Sequence, residues 1–165
     1  MRVVSLTTEN FRNLKNDTVT FSDKMNVLFG DNAQGKTNLI EAIWLFSGAK
    51  SFRGAKESEM KAFGADYTTL SLQFCDKVRE QQIKISFGGR EKKAWLNKVP
   101  LENRAKLSGA FYTVVFSPSH LSIIAEGPKN RRRFLDDAIS QINPQYGSYL
   151  RQYEKVLFQR NTLLK

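Results

Sequence analysis

The chain has a single cysteine and a single histidine among its 165 residues. One cysteine excludes an internal disulfide, so Cys75 is read as a buried thiol of a reducing compartment. No apolar run is long enough to cross a bilayer, and Met1 to Thr7 alternates instead of forming a signal-peptide core. The expected location is the cytoplasm, with no membrane partner. Internal repeats and low-complexity tracts are absent as well. Acidic residues are the scarcer sign of charge, 16 against 26 Lys and Arg, which leaves a net charge of +10. Such an excess favours polyanionic partners, because a basic face attracts phosphate backbones and releases their counterions. What the chain does hold is apolar material for one compact domain or most of one: 41% hydrophobic residues, with 12 Phe.

The first thirty residues read as three short strands: Val3 to Phe11, Thr18 to Phe21 after a turn at Asn16-Asp17, and the apolar run Met25 to Phe29. Beyond Gly30 the period changes. Leu39, Ile40, Ile43, Trp44 and Phe46 recur at helical spacing, which predicts a helix from Thr37 to Ser47 with Gly48 as its stop. Alternation at Thr68 to Phe74 and at Ile83, Ile85 and Phe87 predicts an antiparallel meander. It continues in a hairpin that turns at Asn97-Lys98. Tyr112 to Phe116 is read as a buried strand, Lys129 to Ile142 as a helix, and Pro144 as the first turn of another. That last helix runs to Lys165 with an apolar stripe and no stop signal, as expected of a chain cut from something longer.

The sharpest signal is Gly30-Asp31-Asn32-Ala33-Gln34-Gly35-Lys36-Thr37, a complete P-loop pattern. Its glycines let the backbone curl so that successive N–H groups face phosphate oxygens at a helix N-terminus. Lys36 would reach the β- and γ-phosphates, and the Thr37 hydroxyl would ligate magnesium. ATP with Mg2+ is the expected ligand. Hydrolysis also needs an acid at the end of a second apolar strand. Leu70 to Asp76 ends in an acid but alternates, and Tyr112 to Phe116 ends in Ser117-Pro118, so that acidic strand is missing. Leu107-Ser108-Gly109-Ala110-Phe111 imitates the start of an ABC signature, yet a strand rather than a helix is expected to follow it.

Further blocks flank the loop in a fixed order. They are Asn10-Phe11-Arg12-Asn13, then Asn38-Leu39-Ile40-Glu41-Ala42-Ile43, then Ser51-Phe52-Arg53 and Phe116-Ser117-Pro118. After them come Gly127-Pro128, Arg131-Arg132-Arg133-Phe134-Leu135-Asp136, and Gln159 to Lys165. The ordered set resembles the amino-terminal half of the RecF family, repair ATPases related to SMC and ABC-type heads. The resemblance implies an α/β P-loop NTPase fold of the ABC/SMC head type. Residues 1–128 would form lobe I, a mixed sheet with an antiparallel β portion, and 129–165 the start of helical lobe II. The signature motif and Walker B acid would lie outside this chain.

By the same resemblance Arg12, Asn13 and Asn38 join the loop residues Gly30 to Thr37 in contacting nucleotide. Arg53 lies near phosphates or DNA, and Arg131, Arg132 and Arg133 meet DNA or an acidic subunit. Where the family usually carries an acid after Pro118, this chain has Ser119-His120. The implied protein binds ATP with Mg2+, double-stranded DNA and single-/double-strand junctions, and forms an ATP-dependent homodimer. With RecO and RecR it promotes RecA loading at single-strand gaps in replication, recombination, repair and the SOS response. The present chain is expected to hold nucleotide without turning it over. The alternatives are another SMC-like or OLD-type head, a P-loop small-molecule kinase with Arg131 to Arg133 as its lid, and a binding module that works by its basic surface alone.

Overall fold

The computed structural model describes residues 1–88, 93–117 and 127–164. Two compact units divide the chain, Met1–Leu107 and Ser108–Lys165.

The first unit is built on strands β1 (Arg2–Glu9), β2 (Asp17–Thr20), β3 (Thr68–Cys75), β4 (Glu80–Phe87), β5 (Lys93–Leu96) and β6 (Val99–Leu101). They form one sheet in the order β2-β1-β3-β4-β5-β6. Every described pair is antiparallel, so the mixed pairing expected of this lobe is not seen among the described residues. Alternation fixes the register. Leu6 lies opposite Leu72, which in turn faces Ile83, while Leu70 faces Ile85. All five are buried, together with Phe74 and Phe87. A one-residue slip would move this set to the solvent face. The predicted hairpin turns at Asn97 and Lys98 with φ of 51° and 68°, the positive values of a two-residue type I′ turn.

Three sequence expectations fail here. Met25 to Phe29 is not a strand, and Met25, Val27 and Phe29 are exposed. Tyr112 to Phe116 is not a buried strand either; Val114 and Phe116 stand in solvent. The composition of both segments suits a sheet interior. A strand also needs a ladder neighbour, however, and neither segment lies in a described strand; the Thr113 N–H donates to Gln141 Oε1 at 2.8 Å. Instead, Met25 and Val27 line an open groove of about 650 Å³ with Val3, Phe21, Ile40 and Ile43. The third failure is Cys75, which is half-buried; Arg2 Nη2 lies 3.7 Å from its sulfur.

Asp76 follows the last residue of β3 and serves the next turn, accepting from the N–H groups of Val78 and Arg79 at 2.7 and 2.9 Å. Those two bonds hold its carboxyl below the usual carboxylate range.

The second unit carries helices α2 (Pro128–Ile142) and α3 (Pro144–Leu163). Asn143 ends the first and caps the second, its side chain accepting from Gln145 N and Tyr146 N. Gly147 lets the two helices approach, because a Cβ there would stand 3.2 Å from Ser140 Oγ. The apolar stripe of α3 is exposed at Tyr149, Tyr153, Val156 and Phe158. Leu107 to Phe111 opens no helix. Leu107 closes the short 3-10 helix Arg104–Leu107, and a turn follows in which Gly109 adopts φ 88° and the Ser108 hydroxyl donates to the Ser140 carbonyl, unlike a signature that opens an α-helix.

Candidate phosphate-binding site

Helix α1 (Lys36–Leu45) begins one residue earlier than its periodicity predicts and packs Leu39, Ala42, Trp44 and Leu45 into the core. Its N-cap is Gly35, at φ 98° and ψ 5°. A side chain there would be strained, and its Cβ would meet Leu14 Cδ2 at 2.6 Å and Asn13 Oδ1 at 3.1 Å. Gly30 and Ala33 also take positive φ, so the loop curls three times within six residues. Among the described residues, no protein acceptor is found for the N–H groups of Gly35, Lys36 and Thr37. Unclaimed donors at a helix start form an anion site, reinforced by the helix dipole.

Lys36 lies across the loop, its ammonium donating to the carbonyls of Gly30 and Asp31 at 2.6 and 2.5 Å. Thr37 is exposed beside it. Backbone donors, one ammonium and one hydroxyl suit a polyphosphate with a hard cation. Lys36 and the N–H groups would hold the phosphates, and Thr37 Oγ1 would serve magnesium, which supplies neutralisation of phosphate charge. No group of three or more His, Cys, Asp or Glu able to hold a metal occurs among the described residues.

The predicted flanking residues gather around this loop. Asn13 Nδ2 donates to the Ala33 carbonyl at 2.6 Å, and Asn38 Nδ2 donates to Asn13 Oδ1 at 2.7 Å. Arg53 Nη1 donates to Asn38 Oδ1 at 2.9 Å. Arg12, at φ 49°, turns inward and makes a two-pronged pair with Glu41, Nε at 2.5 Å and Nη2 at 3.0 Å. Its N–H is fixed to the Met60 carbonyl at 2.9 Å.

Glu41 is the residue that sequence reading passed over. It is fully buried, accepts from the Ser51 hydroxyl, and lies 3.9 Å from Arg53. A signal was available. An acid two residues after Leu39 and three before Trp44 sits on the apolar face of α1 and needs a cation there.

The segment that carries Arg53 is held from several sides. Trp44 Nε1 donates to the Lys50 carbonyl, Phe52 meets Trp44 edge-on at 6.2 Å, and Arg104 donates to the Ala49 carbonyl while pairing with Glu57 at 3.4 Å. Burial lowers the pKa of the Arg104 guanidinium, and Glu57 partly opposes that shift. Arg131, Arg132 and Arg133 belong to the other unit, in the first turns of α2, where Arg133 pairs with Asp137 at 3.9 Å. Ser119 and His120 lie outside the described residues.

A glycine-capped helix under a curled phosphate loop, flanked by an antiparallel sheet, has the architecture of a P-loop nucleotide-binding head. The chain belongs to the AAA-domain family, whose profile matches residues 5–165. Within that class it is homologous along its whole length to RecF proteins. It is 41% identical over 167 residues to the DNA replication and repair protein RecF of Ruminiclostridium cellulolyticum, covering 100% of this chain and 45% of that one. RecF of Clostridioides difficile is 42% identical, with 44% of its length covered. The structure of the recombination mediator protein RecF-ATP in the RecFOR pathway superposes with a TM-score of 0.91 at 39% identity, over 99% of this chain and 44% of that one. An SMC ATPase superposes with a TM-score of 0.63 at 22% identity, over 83% of this chain and 99% of that one, which speaks to the fold alone. The chain thus spans less than half the length of the curated relatives it matches. No described helix is long and apolar enough to cross a membrane.

Proposed function

We propose that the chain is the nucleotide-binding part of a RecF-type DNA replication and repair ATPase. Residues 1–128 serve as lobe I and 129–165 as the start of lobe II. The observation that carries this reading is the phosphate loop: three unclaimed N–H groups at the start of α1, with Lys36 across them. Gly30 to Asn38, with Arg12 and Asn13 behind them, hold ATP, and Thr37 serves Mg2+. Basic residues of each unit, Arg53 in the first and Arg131 to Arg133 in the second, meet double-stranded DNA or a single-/double-strand junction, and a net charge of +10 supports it.

In the longer protein, ATP closes a homodimer that works with RecO and RecR to promote RecA loading in the cytoplasm. The apolar flanks at Val27, Phe29, Val114 and Phe116 are then covered by the remainder of the head, for which the relatives' greater length gives room. Turnover needs an acid at the end of a second apolar strand, and none is placed there among the described residues, which supports ATP acting here as a bound clamp.

Nucleotide binding and phosphate release are measured together on the purified chain. The expected result is bound nucleotide with no steady-state release above that of Lys36→Ala. Release that Lys36→Ala abolishes would overturn the incompetence, and failure to retain nucleotide would overturn the reading itself.

A further inference from the structure

The buried carboxylate of Glu41 stands one helical turn beyond Thr37, on the core side of α1. Its described partners are side chains outside the loop, and three converge on it: the Arg12 fork, the Ser51 hydroxyl, and Arg53 at 3.9 Å. From Arg53 a line of hydrogen bonds leads back to the loop. Arg53 donates to Asn38, Asn38 to Asn13, and Asn13 to the Ala33 carbonyl, at 2.9, 2.7 and 2.6 Å.

Each link has a directional reason. Asn38 uses its oxygen for Arg53 and its amide for Asn13, so its flip state is fixed by the cation. Asn13 likewise accepts from Asn38 and donates to Ala33. Ala33 is a non-glycine residue at φ 66°, a strained conformation that persists only when its surroundings hold it. The bond from Asn13 is the one side-chain contact seen on that carbonyl among the described residues.

We propose that Glu41 is a positioning residue for the phosphate loop. By orienting Arg53 it sets Asn38 and Asn13, and through them it holds Ala33 in the left-handed conformation that curls the loop. Arg12 anchors the same carboxylate from the β1 side, so the relay starts at a carboxylate buried in the core and reaches the loop through the more exposed Arg53, Asn38 and Asn13. This inference rests on the reading that the loop binds ATP.

A double-mutant cycle on ATP-Mg affinity, measured by calorimetry well below the melting transition, tests it. Glu41→Gln is expected to weaken ATP about tenfold. Asn13→Ala is expected to do the same, and the two together no more than either alone, as for residues acting in one chain. A purely structural role for Glu41 would lower the unfolding midpoint but leave the affinity of the folded protein unchanged. Arg53→Ala cuts the relay from its exposed side without unpairing the carboxylate from Arg12, and serves should Glu41→Gln fail to fold. It too is expected to be non-additive with Asn13→Ala. Unchanged affinity in Glu41→Gln or Arg53→Ala, or full additivity with Asn13→Ala, overturns the relay while wild-type binding stands. No ATP binding by wild type overturns both this inference and the reading beneath it.

Discussion

Arg12→Ala is expected to cost roughly 3–5 kcal/mol of folding stability, the range for removing one partner of a buried ion pair. The carboxylate it leaves behind has no route to water, since Glu41 is 0% exposed. Ser51 would remain, together with Arg53 at 3.9 Å, but neither supplies the fork that Arg12 closes at 2.5 and 3.0 Å. The loss extends to the backbone. Arg12 also donates from Nη1 to the Glu59 carbonyl and so ties the turn after β1 to the short helix at Glu57–Met60. Urea unfolding followed by tryptophan fluorescence measures the effect, with Trp44 on α1 as a reporter. Arg12→Lys, which keeps the charge without the fork, should fall between the two. A loss below about 1 kcal/mol for Arg12→Ala would place the pair among those that contribute little.

Gly35→Ala is expected to weaken ATP about a hundredfold. The left-handed conformation at φ 98° accounts for about 1–2 kcal/mol of strain. The new methyl group also approaches Asn13 Oδ1 at 3.1 Å, and Asn13 can retreat only by giving up a bond to Asn38 or Ala33. A lost hydrogen bond adds about 1 kcal/mol, and the sum of near 2.8 kcal/mol corresponds to two decades of affinity. Contact with Leu14 Cδ2 at 2.6 Å is relieved more cheaply by rotation of that side chain. Calorimetric titration with ATP-Mg measures the outcome, and retention of wild-type affinity would mean that the loop tolerates a side chain at its cap.

The same geometry shows what could be read from the residues alone. The phosphate loop was legible because its chemistry is local: glycines at set positions, a lysine, a hydroxyl, and a helix that starts where they end. The meander from Thr68 to Leu101 was legible because alternation and an Asn-Lys turn are local too. The strands expected at Met25 to Phe29 and Tyr112 to Phe116 were not settled by composition, since pairing depends on a neighbour elsewhere in space. The brace at Glu41 was hidden for a similar reason. It joins residues 12, 41, 51 and 53, three separate segments, around a carboxylate whose burial only the fold reveals. An acid on the apolar face of α1 announced that some cation had to come, but not which one.

The central claim is that Gly30 to Thr37 is a working nucleotide cradle with Lys36 as its charge. Calorimetric titration of ATP-Mg into this chain and into Lys36→Ala tests it most directly. Saturable binding by the wild type, weakened about ten- to a hundredfold in the variant, is the result expected when a charge-assisted contact of about 1.5–3 kcal/mol is removed. Binding of equal strength in both proteins, or in neither, would contradict it.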